Sequence, residues 1–186
     1  SMLIGDTLES GRGSFTLASN TSMTLKGDLH IGPHSELILE ENALLLLHGG
    51  KICIHPFGKL TQLANAKIEV TNSSFIHLNG GTATWEMSGD LIVQSTDTLI
   101  VSAQSGGNMG SWVWKGNSAY TAIHHNGLLE LNNANGGFAE VQIQDQSGHL
   151  IAGEGKSSWQ DVAFALGQNV EWAIHARTHF ENCHVL

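Results

Sequence analysis

Charge is scarce in this chain: Asp, Glu, Lys and Arg make up 13% of its 186 residues, about half the usual share. Lysine and arginine number 8 against 17 acidic residues, for a net charge of −9. Neutralising phosphates needs clustered Lys and Arg, so nucleic acid and anionic membrane surfaces are poor partners. The longest apolar runs, such as Ala43 to Leu47, have 5 residues, far short of the ~20 that a membrane-spanning helix needs, so no membrane insertion is expected. The 2 cysteines, Cys53 and Cys183, are too far apart for a metal or redox motif and too few for a disulfide framework. No cofactor motif is legible. The opening Ser1-Met2 reads as the remnant of a removed tag. The close at Asn182-Cys183-His184-Val185-Leu186 falls inside a strand-like pattern, so the chain reads as a piece of a longer protein.

In place of charge there are 22 glycines and many Asn, Ser and Thr residues, a mixture that favours turns and β-branched strands over helices. Self-similarity is the dominant pattern. Gly27, Leu29, Ile31, Pro33 and Leu37 recur as Gly50, Ile52, Ile54, Pro56 and Leu60, each at an offset of 23. Asn42, Leu45 and Leu47 recur as Asn65, Ile68 and Val70 at the same offset. Asn20, Met23 and Leu25 precede them by 22, and Ile76 and Leu78 follow Ile52 and Ile54 by 24. The apolar positions alternate in short two-step runs, Leu29/Ile31, Leu37/Leu39 and Leu45/Leu47, which is strand periodicity. Three short strands and three turns per unit predict a parallel β-helix, with each residue stacked about 4.8 Å from its counterpart in the next coil. Asn20, Asn42 and Asn65 are then expected to form a ladder at one turn.

The register blurs over residues 79 to 90, and residues 103–118 read as a loop leaving the stack around Trp112-Val113-Trp114. Near the end the period is about 21: Trp159 through Phe164 recurs as Phe180 through Val185. Val162-Ala163-Phe164 and Phe180-Glu181-Asn182-Cys183-His184-Val185 resemble the aromatic-x-Asn-Cys/Val-x-Val/Phe coil of bacterial secreted right-handed parallel β-helix repeat proteins of the pectate-lyase-like superfamily. The motif likeness covers about the last 60 residues, the rest only through periodicity. It implies an extracellular or cell-surface location and a right-handed coil, but no activity by itself. The expected fold is all-β, a right-handed parallel β-helix over residues 1–186, with about eight coils of roughly 21–24 residues.

Four groups of residues are candidates for function. Polysaccharide-cleaving members of the resembled superfamily use clustered aspartates or an Arg/Lys base. Here the aspartates are scattered and only Arg12 and Arg177 are arginines, so no catalytic residues are assigned. Glu171, His175, Arg177, His179 and Glu181 alternate on what reads as one outward strand face, where His175, Arg177 and His179 could hold an anionic sugar; a solvated face of paired charges explains the same pattern. Trp112 and Trp114 would share one face of an extended segment and offer a sugar-stacking platform, or else cover the solenoid flank. His30, Cys53 and His77 fall in one outward column and could offer N, S and N ligands to zinc, although a straight row suits tetrahedral geometry badly. Ile38, Leu44 and Leu46 point outward and suggest a covered flank or a homo-oligomer contact. The functional expectation is a non-catalytic stalk, adhesin or fibre element, the alternative a module that binds or cleaves polysaccharide.

Overall fold

Why does a chain of such short apolar runs fold at all? A single four-residue strand cannot bury its inner side chains, but stacking strand on strand makes each row of inner residues continuous. The computed structural model describes the chain except residues 6–10, 95–96, 103–110, 116–120, 126–127, 133–138, 145–147, 153–155, 161, 167–170, 175–176 and 186. After Ser102, side chains are described only for Trp112, Trp159, Phe164, Ile174 and residues 178–185. Among the described residues there are strands and turns but no helix.

All strand pairs are parallel, and they form three sheets, two of eight strands and one of seven. Successive strands of the chain go to successive sheets, so each coil contributes one strand to each of them. The first sheet contains Asp28–Ile31 and Lys51–Ile54, the second Glu36–Leu39 and Lys59–Gln62, and the third Leu44–His48 and Lys67–Asn72. The chain is a parallel β-solenoid. Its coils are described continuously with side chains for about four turns, fewer than the eight expected from length, and from there the strand backbones carry the three sheets onward.

The sequence offsets are the strand register. Leu29 pairs with Ile52 and Ile31 with Ile54, Leu37 with Leu60, and Leu45 with Ile68. Trp159 pairs with Phe180 and Phe164 with Val185, preserving the period of 21. Leu29, Ile31, Leu37, Leu39, Leu45, Leu47, Ile52 and Ile54 are all fully buried. Each such side chain contributes about 1.5–3 kcal/mol relative to its exposed state.

The corners explain where the register blurs. Between the second and third sheets, Asn20, Asn42 and Asn65 all take left-handed backbone angles, with φ near +60°. Asn tolerates that region better than most residues, so the expected ladder has a conformational cause. In the next coil this corner contracts to Ser88-Gly89, where Ser88 and Asp90 bond to the carbonyls of Gln62 and Ala66. Gly89 is obligatory there, because a Cβ would lie 2.0 Å from the Ala66 carbonyl oxygen. Meanwhile the corner between the first and second sheets lengthens from His55-Pro56-Phe57-Gly58 to Asn79-Gly80-Gly81-Thr82-Ala83. One corner gains and the other loses within a single coil, which defeats counting at a fixed period.

Candidate functional site

The tryptophan platform is not a platform. Strand Ser111–Lys115 lies inside the segment expected to leave the stack, and it is a member of the second sheet. Trp112 is fully buried. Its ring lies 4.5 Å from Trp85 at 5° and 5.8 Å from Trp159 at 15°. It occupies the inward row that carries Leu37 and Leu60 in earlier coils, so its neighbours are core rings and no sugar reaches it. Trp114 is in register with Met87, two residues along the same strand.

The outward row at the other end is divided between two sheets. Glu171 belongs to strand Glu171–Ile174 in the third sheet, whereas Arg177–Glu181 is in the first. His175 lies outside the described residues. Arg177 and His179 pair with Lys156 and Ser158 of the neighbouring strand, and His179 is exposed. A single five-member row on one strand is therefore corrected to strands of two different sheets. Ile174 and Phe180, which the sequence alternation turns inward, are both 38% exposed, and side-chain periodicity cannot see a strand switching sheets.

His30, Cys53 and His77 do stack in register on the first sheet. Their side chains turn to different partners. His30 Nδ1 lies 3.2 Å from His55 Nε2. The ring centroids are 5.5 Å apart, so the imidazoles meet nitrogen to nitrogen, as a shared hydrogen requires, and do not overlap. His77 Nδ1 lies 3.3 Å from Ser102 Oγ. Burial, with Asp28 adding to it, pushes the Cys53 thiol up and away from the thiolate that a metal prefers. Among the described residues, no group of three or more His, Cys, Asp or Glu could hold a metal ion. Burial holds His55 below the usual histidine range, helped by His30; burial does the same to His77, helped by Lys51.

Ile38 is on the second sheet, and Leu44 and Leu46 are on the third. All three are half-buried, and their outward neighbours in register include Thr16, Thr61, Thr24 and Glu69. They do not line up as one apolar stripe.

A cluster that the sequence reading passed over sits at the corner between the first and second sheets. His34 and Phe57 occupy equivalent places in successive coils, after Pro33 and Pro56. Their φ angles are +55° and +61°. The rings stack 4.9 Å apart at 9°, and Phe57 is 52% exposed. The Phe57 amide donates to Thr82 Oγ1 of the next coil at 3.0 Å. The signal was present in the matched Pro33 and Pro56, which mark a repeated turn whose next residue is exposed.

No protein-family model, curated protein or solved structure matches the chain. The solenoid is thus established by its own strand ladder.

Proposed function

We propose that this chain is a non-catalytic structural or adhesive element, a stalk or fibre segment of a bacterial cell-surface or secreted protein allied to the pectate-lyase-like β-helices. One observation carries the reading: Glu36, Glu40, Glu41, Glu69 and Glu86 act as clips between neighbouring coils. Lys59 Nζ lies 3.8 Å from Glu36 Oε1 and 3.0 Å from Glu86 Oε2, one coil to either side. Glu40 Oε2 accepts from the Ser19 amide at 2.9 Å. Glu41 Oε1 accepts from Asn65 Nδ2 at 3.2 Å, and Glu69 from Gln94 Nε2. Hydrolysis by a carboxylate pair needs two groups held apart and aimed at a substrate. Carboxylates spent on holding successive coils in register suit a rod.

The test is a turnover screen of the purified chain against neutral and acidic polysaccharides, read by released reducing ends and by unsaturated products. Absence of turnover across the panel is expected. Product release from any polysaccharide overturns the reading and returns attention to Arg177. Sedimentation of the same preparation tests association through Ile38, Leu44 and Leu46, with a monomer counting against that contact.

A further inference from the structure

We propose that the Pro33-His34/Pro56-Phe57 corner is a binding site for a neutral saccharide, with Phe57 as the ring on which a sugar stacks. The proposal deepens the adhesive side of the preceding section and depends on it only there.

Folding alone does not account for Phe57. At the opposite corner the left-handed position is Asn in three successive coils, the residue that conformation tolerates. At this corner it is His34, which tolerates that region as Asn does, and then Phe57, a bulky residue for which positive φ is a genuine outlier. The strain leaves Phe57 well outside the core, since the residue remains 52% exposed. It is nonetheless held in place. His34 covers one side of it in parallel, and the Thr82 hydroxyl pins its backbone amide. In the following coil the corner continues as Gly80-Gly81-Thr82, and a Cβ added at Gly81 would meet no atom of the described residues within 4 Å. A fixed, exposed aromatic ring beside two glycines is what results.

The chemistry of the surroundings selects the occupant. Residues 32–35, 55–58 and 79–83 contain no Asp, Glu, Lys or Arg, so nothing here attracts an ionic ligand, and the chain's net charge of −9 disfavours a polyanion. The apolar surface is the one face of the Phe57 ring that the stacked His34 leaves uncovered. That is much smaller than the ~800 Å² per partner that a stable protein interface buries, but it suits one face of a pyranose. The exposed Thr82 hydroxyl, held beside the ring by the Phe57 amide, is placed to meet sugar hydroxyls.

The experiment titrates the chain, by calorimetry and ligand-observed NMR, with cellohexaose, laminarihexaose and mannohexaose, using hexagalacturonate as the anionic control. Phe57→Gly is the decisive variant, because glycine accepts the left-handed angle and removes only the ring. Binding to at least one neutral hexasaccharide is expected, weakened about tenfold or more by Phe57→Gly and less by His34→Asn, with the melting temperature unchanged or raised. The site is overturned if no neutral hexasaccharide binds, if hexagalacturonate alone binds, or if Phe57→Gly binds as well as the parent. A lowered melting temperature in Phe57→Gly overturns it too, since the ring would then serve the fold. A change of sedimentation in that variant without loss of sugar binding assigns the ring to self-association. All of these leave the non-catalytic reading standing, which only turnover removes.

Discussion

One inward row of the second sheet is built in two ways. Leu37 and Leu60 fill it in the early coils, and Trp85 and Trp112 continue it in later ones. The aliphatic part is self-sufficient: its side chains are fully buried, carry no polar atom and interlock with Ile and Leu rows from the other two sheets. The aromatic part packs ring on ring, from Trp85 to Trp112 within the row, across to Trp159 and Phe180 of the first sheet, and to Phe164 of the second. It also buries the indole nitrogens of Trp85 and Trp112 without hydrogen-bond partners. An unpaired buried N–H costs about 1–3 kcal/mol, which the large buried ring area must offset. A solenoid can thus change its core chemistry along the axis without changing its backbone, because each coil answers only to its neighbours.

The sharpest way to break this comparison is Trp112→Ala, expected to cost about 3–5 kcal/mol. Hydrogen exchange should accelerate in strands near Trp85 and Trp159, while strands from Glu36–Leu39 to Lys67–Asn72 keep their protection; uniform acceleration would show that the two parts fold as one unit. Trp112→Phe keeps a ring and removes the unpaired N–H, and should recover most of that loss. The early coils should be less sensitive to shape: Leu45→Ala is expected to cost about 2–5 kcal/mol, but Leu45→Met less than about 1.5, both by denaturant unfolding.

A smaller effect should come from pH. His55 and His77 are held neutral, with folded pKa values below the ordinary 6.5. The unfolded chain therefore binds protons that the folded one refuses. Their contribution is present above pH 6.5 and is lost as pH falls from there through the lowered folded values. The facing groups are His30 for His55, and Lys51, Asp28 and Ser102 for His77. Chemical denaturation of His55→Asn and His77→Asn across this range should show a shallower acid slope than the parent; an unchanged slope would assign acid sensitivity elsewhere. The smallest effect belongs to Lys59→Met. Its two ion pairs are partly exposed, so a loss of about 0–1 kcal/mol is expected, diminishing with added salt.

Much of the fold was legible before any coordinates. The pairs Leu29/Ile52, Leu37/Leu60 and Leu45/Ile68 are both sequence repeats and strand partners, because in a parallel stack equal coil lengths turn sequence offset into spatial contact. The Asn ladder was legible for the same reason. The sites were not. Trp112 and Trp114 alternate as any exposed pair on a strand would, and only placement of Ser111–Lys115 in the second sheet turns Trp112 inward. Likewise, residues Glu171 to Glu181 alternate without a break although they serve two sheets. His55 was missed because its partner His30 stands 25 positions away, beyond the repeat of 23, at a corner residue that strand alternation does not describe.

Local chemistry in the sequence was enough to determine the three-strand coil, its parallel stacking, the aliphatic rows and the Asn corner. Each depends on a residue's own conformational preference or on a partner one fixed repeat away. Tertiary structure alone decided which aromatic rings face inward, where the strand pattern changes sheet, which histidines meet, and that Phe57 stands exposed on His34. These depend on corner lengths that vary by one or two residues from coil to coil, and a one-residue shift reverses the face that every following side chain presents.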